Sequence, residues 1–347
     1  MAALCTTAII LFVSSCSAQT HYHSCAAIYK SNILSQSGVY TLYNRQDQPF
    51  QVYCDFYRGY GYTYISPATT VTVNIDDLYT DSKHVLVRDM RKDGSQYEAK
   101  IEQITAFQNT PLSIQYNTHS GYQEVQNPKM TPYVYVGFLP AARMRRGQTE
   151  GYKLNGKDQT YVNCDGNTNN YFAFLFNQNH AAASPYHPTY SVMQHNWVDT
   201  ANQVSQSKKI PANFFSFFEM HFGGCGAYGT PQHIQQVSGA ALGLRYDITC
   251  KTPADIANGT KTVSGTTFGN TVTYTCDVGY GREFGDMTRT CSETGRWTGL
   301  TPSCAAFPCS SHPCHNGGLC FEVEGSTFVC ECPEGFQGKL CETSAGK

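Results

Sequence analysis

Sixteen cysteines are the residues of this 347-residue chain whose type and spacing could do chemistry. Ten of them lie in the 92 residues from Cys250 to Cys341. Thiols at this density either bind a metal or are oxidised to disulfides. A cytosolic zinc protein would more often carry Cys-x-x-Cys knuckles, and this sequence has none. The pattern therefore indicates disulfides and an oxidising, extracellular location.

The final six cysteines form a block too short to bury the apolar surface that folding without crosslinks would require. Their spacing, with Gly317-Gly318 before Cys320 and Gly335 to Gly338 before Cys341, resembles an EGF-like domain over residues 309–341. Six cysteines allow fifteen pairings. The resemblance implies one of them: Cys309–Cys320, Cys314–Cys330 and Cys332–Cys341.

Two properties of this block follow from the residues around its first cysteine. Calcium-binding members of the family carry acidic or amide residues where this chain has Ala305–Pro308, which offers no oxygen ligand. We therefore expect no calcium in this module. The stretch Cys309–Cys314 fits the O-glucosylation pattern of the family and makes Ser311 the candidate acceptor, with an unmodified surface serine as the alternative.

The four preceding cysteines belong to a second block, in which Tyr274–Tyr280 and Cys291–Trp297 resemble a sushi (complement control) module over residues 250–304. The family pairs the first cysteine with the third and the second with the fourth, which implies Cys250–Cys291 and Cys276–Cys304. Trp297 is then expected to fill the core between the two crosslinks. Asn258-Gly259-Thr260 is an N-glycosylation sequon in a glycine-containing turn, so we expect a glycan on Asn258.

The first 18 residues have the pattern of a secretory signal peptide. Leu4 to Val13 is mostly apolar but too short to span a bilayer, and small residues precede a cleavage point after Ala18. Cleavage would also remove Cys5 and Cys16, leaving four, four and six cysteines in three segments, as full oxidation requires. Residues 342–347 lack the features of a GPI signal. We expect a secreted, soluble product without a transmembrane segment.

The charge balance excludes some partners. The chain has 24 basic and 26 acidic residues, a net charge of −2, and no basic stripe that would favour nucleic acid. It also lacks the acidic runs that would template a mineral directly. Only 14% of the residues are charged and 24 are tyrosine, which is typical of a folded, aromatic-rich β protein.

Residues 19–249 are long enough for a core of their own, and their apolar pattern predicts mainly strands. The best helix candidate is Ser24–Ile33. Phe214–Phe218 favours a strand buried on both faces over an apolar contact patch. The strand candidates are Val39–Tyr43, Phe50–Tyr53, Tyr60–Tyr64, Tyr97–Ile104, Tyr133–Phe138, Tyr171–Phe176, Phe214–Phe222 and Ala240–Ile248. The predicted fold class is mainly β: a β-rich N-terminal domain, then two disulfide-stapled modules separated by the linker 305–308.

The opening of the N-terminal domain, from Cys25 through Ser37–Leu42 to Pro49–Asp55, resembles the start of fibrinogen-like domains and of the GON domain of some secreted metalloproteases. The ending, Gly223–Gly226 followed by Ala240–Tyr246, is closer to the GON type. The acyl-group and calcium sites of fibrinogen-type lectins have no matching residues here, so none is carried over.

Four cysteines of this domain allow three connectivities, and local pairing of Cys25–Cys54 and Cys164–Cys225 is the simplest. Asp165–Asn169 has the oxygen spacing of a calcium loop. It lacks the glycine and the acidic residue that an EF-hand places next, so a polar turn is favoured. Two further candidate sets are His180, His187 and His195 for zinc, and Arg143, Arg145 and Arg146 for cleavage by furin-like convertases. Scattered loop histidines and an uncut basic surface cluster are the favoured alternatives.

No catalytic motif or cofactor fingerprint occurs in the sequence, so we expect neither enzyme activity nor a cofactor. The preferred interpretation is a secreted matrix or adhesion protein that contacts extracellular proteins or glycans, and the organic matrix of a mineralised skeleton or shell is one setting. A complement-type recognition factor and a hydrolase within residues 19–249 are the alternatives. The oligomeric state cannot be inferred from these residues.

Overall fold

The computed structural model describes residues 21–118, 131–163, 166, 170–176, 200–222, 237–323 and 327–346. Strands dominate these residues, and the prediction of a mainly β chain with disulfide-stapled C-terminal modules is confirmed. Three regions follow one another: residues 21–249, the four-cysteine module 250–304 and the six-cysteine module from residue 309 onward. The predicted signal peptide lies outside the described residues.

The described part of the first region contains the short helix α1 (Cys25–Ser31) and most of the strands. Its strands are β1 (Gly38–Tyr43), β2 (Pro49–Phe56), β3 (Tyr60–Ile65), β4 (His84–Arg91), β5 (Gln96–Glu102), β6 (Ser113–Tyr116), β7 (Tyr133–Gly137), β8 (Thr149–Leu154), β9 (Lys157–Val162), β10 (Asn170–Leu175), β11 (Asn202–Gln203), β12 (Phe217–Phe222) and β13 (Val237–Asp247). Its short 3-10 helices are Ile75–Asp77, Thr105–Phe107, Ala141–Arg143, Gln206–Lys208 and Ala212–Phe214.

These strands form two antiparallel sheets that enclose the main core. The larger sheet has the order β1-β2-β3-β13-β4-β5-β8-β9, with β11 beside β5, and the smaller has the order β12-β10-β7-β6. Apolar side chains from both sheets meet in one cluster, for example Val87 and Leu244 of the larger sheet with Val136 and Phe172 of the smaller, all fully buried. Burial of this sandwich interior is the main stabilising term of the domain.

Helix α1 covers one end of that core. Ser24 caps its first turn by accepting a hydrogen bond from the Ala27 amide at 3.1 Å, and the helix ends at Ser31, two residues before the predicted end. Its buried residues Cys25, Ile28 and Tyr29 face the larger sheet, and a disulfide joins Cys25 to Cys54 of β2. The helix is thus fixed to the sheet by both packing and a covalent bond.

The second and third regions are small and built from short strands. The strands of the four-cysteine module are β14 (Gly259–Val263), β15 (Thr271–Cys276), β16 (Tyr280–Phe284), β17 (Thr288–Thr290) and β18 (Ser303–Ala306). The six-cysteine module has β19 (Leu319–Val323), β20 (Thr327–Glu331), β21 (Phe336–Gln337) and β22 (Thr343–Ser344), preceded by the 3-10 helix Pro308–Ser311.

Two expectations about these elements differ from the structure. Phe214 is buried but belongs to a 3-10 turn, and Phe217 is 49% exposed, so Phe214–Phe218 is not a strand buried on both faces. Ala305 and Ala306 of the predicted linker pair with β16, which extends the four-cysteine module. At the end of the described chain, Thr343 and Ser344 pair with β21.

Candidate recognition surfaces

The described residues contain six disulfides, which define the modules. They join Cys25–Cys54, Cys250–Cys291, Cys276–Cys304, Cys309–Cys320, Cys314–Cys330 and Cys332–Cys341. The predicted Cys164–Cys225 bond lies outside the described residues. The candidate zinc residues His180, His187 and His195 also lie outside the described residues. Of the candidate calcium loop Asp165–Asn169, only Gly166 is described.

The four-cysteine module has a small core between its crosslinks. Val272 and Tyr274 of β15 are buried beside Cys291 and Cys304. Trp297 is only half-buried, and its Nε1 donates a hydrogen bond to the Lys251 carbonyl at 2.8 Å. The ring therefore packs at the edge of the module, which differs from the central position expected from sequence.

The joint between the two C-terminal modules is tightly built. Strand β18 pairs with β16 up to Ala306, and the Phe307 amide donates to the Gly279 carbonyl at 3.0 Å. The Phe307 ring then lies over Gly281, where a Cβ atom would be 2.7 Å from Phe307 Cε1. These contacts hold residues 305–307 against the four-cysteine module, so little unpaired chain is left before Cys309.

We expect Gly281→Val to loosen this joint. The added side chain would overlap the Phe307 ring, and relieving such overpacking costs about 1–3 kcal/mol. The measurement is the rate at which a protease cuts the full chain between residues 304 and 309, which should rise in the variant. Gly346→Val is the matched control, because a Cβ there meets nothing within 4 Å. Equal cleavage rates in both variants would contradict a packed joint.

The geometry of these two regions agrees with known families. Residues 250–304 match the Sushi repeat (SCR repeat) family, and residues 309–340 match the EGF-like domain family. The chain carries a Sushi repeat followed by an EGF-like domain. The resemblances inferred from the cysteine spacing are thereby confirmed, whereas the fibrinogen-like and GON-like resemblance of residues 19–249 stays a prediction.

Several curated relatives match about a quarter of the chain. Human Fibulin-7 is 41% identical over 96 residues, which are 27% of this chain and 20% of that protein. Mouse Sushi, von Willebrand factor type A, EGF and pentraxin domain-containing protein 1 is 36% identical over 95 residues, 27% of this chain and 2% of that protein. Complement control protein C3 of Vaccinia virus is 33% identical over 106 residues, 26% of this chain and 40% of that protein. The chain thus spans a minor part of each relative.

The EGF-like domain presents an apolar strand face to solvent. Leu319, Phe321 and Val323 alternate along β19 and are 61%, 50% and 47% exposed. Val329 lies opposite Phe321 on β20 and is 55% exposed. Because alternate residues of a strand share a face, these four side chains form one patch, which we call the hairpin face. Contiguous exposed apolar groups of this kind are typical of contact surfaces.

The EGF-like domain carries more acidic than basic side chains. The described residues from Cys309 to Cys341 include three glutamates, Glu322, Glu331 and Glu334, against one lysine, Lys339. Glu331 lies opposite Leu319 on the side of the hairpin face, whereas Glu322 points to the other side and accepts a hydrogen bond from the Cys309 amide at 3.4 Å. The negative balance of the module suits a partner with apolar and basic groups.

A second surface lies on the outer side of the larger sheet of the N-terminal domain. Tyr57 and Tyr60 stack with ring centroids 5.0 Å apart, and the Arg245 guanidinium lies 4.4 Å from the Tyr60 centroid. Tyr62 contacts the His84 ring nitrogen Nε2 at 3.1 Å, and His84 Nδ1 lies 3.6 Å from Asp81. The result is an aromatic surface with fixed polar groups at its edge.

The surroundings of these groups set their protonation states. Burial and the nearby Arg245 lower the pKa of His84, so this ring is neutral at physiological pH. Burial raises the pKa of Tyr62 to about 12, which keeps its hydroxyl protonated. The Tyr62 hydroxyl can therefore donate a hydrogen bond to Nε2 of the neutral His84 ring.

Beneath this surface lies an ionic network that the sequence did not reveal. Arg88 of β4 is fully buried and donates from Nη2 to Asp55 at 3.0 Å, from Nε to Glu98 at 3.2 Å and from Nη1 to the Lys208 carbonyl at 2.7 Å. Its guanidinium also lies 5.2 Å from the Tyr64 centroid. The network ties β2, β4 and β5 to the segment that crosses the sheet.

The predicted modification sites are accessible. Asn258 is exposed in a turn with a positive φ of 55°, directly before β14, and Ser311 is exposed at the end of a 3-10 helix. The Ser311 hydroxyl donates to the Pro308 carbonyl at 3.0 Å. Modification of either residue stays a prediction.

The basic cluster proposed for convertase cleavage is held in a compact turn. Met144 is buried, Arg143 donates to the Thr110 hydroxyl at 2.5 Å, and the Gly147 amide donates to the Asn163 carbonyl. Arg145 and Arg146 are exposed. A protease needs an extended segment in its cleft, and these contacts oppose that conformation.

We therefore expect the folded protein to resist cleavage after Arg146. The purified chain is incubated with a furin-like convertase and run on a reducing, denaturing gel. A single band is expected from the folded protein, and cleavage is expected only after unfolding in denaturant. Two fragments that meet at Gly147 in the folded sample would contradict this prediction.

The described residues offer neither a membrane-spanning helix nor a cluster of metal ligands. Within the described residues, none of the helices combines the length and hydropathy of a membrane span. In the same part of the chain, no group of three or more His, Cys, Asp or Glu side chains is placed to hold a metal ion.

Proposed function

We propose that the chain is a secreted, non-enzymatic adhesion protein of an extracellular matrix. Sushi and EGF modules mediate contacts between extracellular proteins, and the Fibulin-7 match supports a matrix or adhesion role. The observation that carries the proposal is the hairpin face, four exposed apolar side chains on a module held together by three disulfides. The partner is an extracellular protein with apolar and basic surface groups.

The N-terminal domain has a separate place in this proposal. It contacts the Sushi repeat through the Arg58–Glu293 ion pair, with Nε and Oε2 2.7 Å apart. Phe268 of the Sushi repeat also packs on Gly59. The tyrosine surface of the domain is a further candidate for protein or glycan contact.

Retention of the protein on matrix tests the proposal. Native protein located by antibody should stay in the insoluble extracellular fraction, and recombinant full-length protein should be retained on decellularised matrix. Phe321→Ser with Val329→Ser should reduce that retention. Phe284→Ser is the matched control, because Phe284 is 54% exposed on the Sushi repeat, away from the hairpin face. Equal retention of the two variants would exclude the hairpin face as the contact.

A complement-type recognition factor is the second candidate. The Complement control protein C3 match supports it, since that relative aligns over 40% of its own length. The same localisation experiment separates the two roles. Native protein found in circulating body fluid and absent from the matrix would favour the second candidate and contradict the first.

A further inference from the structure

A cavity of about 520 Å³ lies where helix α1 of the N-terminal domain meets the Sushi repeat. Helix α1 and the Sushi repeat both contribute to its wall, so it exists only while the two are docked. The side chains that matter for binding are Lys30, Lys251, Arg289, Thr294, Arg296 and Trp297. Four of these six are cationic, and none of the lining residues is acidic.

The cations are not neutralised by the protein itself. Lys30, Lys251, Arg289 and Arg296 have no carboxylate within ion-pair distance among the described residues. The neighbouring acid, Glu293, is engaged by Arg58 at 2.7 Å. An open cavity with several unneutralised positive charges attracts anions from solution.

One of the four cationic groups is held in position by the fold. Arg289 is buried and donates to the Thr298 carbonyl at 2.8 Å and to the Thr301 hydroxyl at 2.7 Å, so it is a fixed charge in the cavity wall. The stem of Lys30 packs on Gly295, where an added Cβ would overlap Lys30 Cε. Lys30, Lys251 and Arg296 are exposed and can move to meet a ligand.

The remaining lining suits a sugar. The Trp297 ring is half-buried at the cavity wall and is oriented by its hydrogen bond to the Lys251 carbonyl. Aromatic rings pack against the apolar C–H faces of sugars. Thr294, which lines the same cavity, offers a hydroxyl group for hydrogen bonding. Arginine and lysine together bind sulfate groups through charge-assisted hydrogen bonds.

We propose that this cavity binds a sulfated polysaccharide, with sulfates on Lys30, Lys251 and Arg296 and a sugar ring against Trp297. The inference rests on the proposed extracellular placement, where sulfated chains are available. A concave site that combines cations with an aromatic wall favours a polysaccharide over a flat anionic membrane surface. The site is separate from the hairpin face, so one protein could hold a matrix glycan and a matrix protein together.

The test uses the full-length, oxidised protein and a heparin octasaccharide as the probe. Binding is measured by isothermal titration calorimetry at several salt concentrations. The triple variant Lys30→Ala, Lys251→Ala, Arg296→Ala should weaken binding by about tenfold or more and flatten the dependence on salt. The control is Lys92→Ala, Lys157→Ala, Lys339→Ala, which removes the same charge from exposed lysines elsewhere and should change binding by less than about twofold.

Three further arms make the result decisive. Trp297→Ala should weaken binding at high salt, where the charges are screened and the ring contact remains. The unsulfated backbone of the octasaccharide should bind at least about tenfold more weakly. Vesicles that contain phosphatidylserine should bind the cavity triple variant and the control triple variant equally well.

Equal weakening by the two triple variants would overturn the proposal, because it would show a net-charge effect without a site. Binding that survives removal of sulfate, or vesicle binding that depends on the three cavity residues, would also overturn it. The octasaccharide result and the matrix-retention result can be told apart. Retention on matrix is expected to depend on Phe321 and Val329, whereas octasaccharide binding is expected to depend on Lys30, Lys251 and Arg296.

Discussion

Breaking the Cys314–Cys330 disulfide should abolish the folded EGF-like domain. Among its described residues only Cys341 is fully buried, so the module has no apolar core that could replace the crosslink. Loss of a native disulfide from a small secreted domain costs about 2–5 kcal/mol and often prevents folding at 37 °C. The variant Cys314→Ser, Cys330→Ser is measured by secreted yield from cultured cells and by limited proteolysis of residues 309–346.

The matched control is Cys25→Ser, Cys54→Ser in the N-terminal domain. That disulfide sits inside the large core shared by both sheets and α1, so packing can hold the fold when the bond is absent. We expect this variant to be secreted as a folded but less stable protein. A reversed order, with a protease-resistant EGF-like domain and an unfolded N-terminal domain, would show that the module does not depend on its crosslinks.

Replacing Arg88 with methionine should destabilise the N-terminal domain by about 3–5 kcal/mol, because the change leaves the Asp55 carboxylate buried without its cation. Burial already raises the pKa of Asp55, against the opposing effect of Arg88. A carboxyl whose pKa is raised by folding destabilises the native state as pH rises through that pKa. The loss of unfolding free energy caused by Arg88→Met should therefore be smaller at pH 4 than at pH 7.

Urea denaturation of the full chain at the two pH values measures this effect. The double variant Arg88→Met, Asp55→Asn removes both charges and should recover part of the lost stability at pH 7. Lys92→Met is the control, because Lys92 directly follows the same strand and its side chain is exposed. An Arg88→Met protein with wild-type stability at both pH values would contradict a structural role for the network.

The sequence predicted the C-terminal modules well because their folds are encoded by cysteine spacing, which is a local property. The alternating strands β3, β7 and β10 were also predicted, since their tyrosines, valines and phenylalanines follow a period of two. Strand β4 was missed because it is buried on both faces and still carries Arg88 and Asp89, which breaks the apolar pattern.

The hairpin of β8 and β9 was missed although the chain contains a suitable indication. Asn155 and Gly156 both adopt positive φ, 46° and 85°, and Asn-Gly is the residue pair preferred in tight two-residue hairpin turns. The Arg88 network could not be found from sequence, because Asp55, Glu98 and Lys208 meet only once the sheet has formed. The basic cavity was missed for the same reason, since Lys30 and Arg296 are far apart in the chain.

For the hairpin face, the strand pattern predicts which side chains share a side but not whether that side is exposed to solvent. Leu319, Phe321 and Val323 alternate with Cys320 and Glu322, and the cysteine must point toward its disulfide partner. The three apolar residues must therefore point the other way. Whether another element covers that face depends on the tertiary structure, and within the described residues it is open to solvent.

The central claim is that disulfides replace a missing apolar core in the C-terminal modules of an extracellular protein. Mass spectrometry of peptides from the native protein, alkylated without reduction, tests it most directly. The account predicts Cys250–Cys291, Cys276–Cys304, Cys309–Cys320, Cys314–Cys330 and Cys332–Cys341, with no alkylated cysteine among these ten residues. Free thiols at these positions, or a metal bound to them, would contradict it.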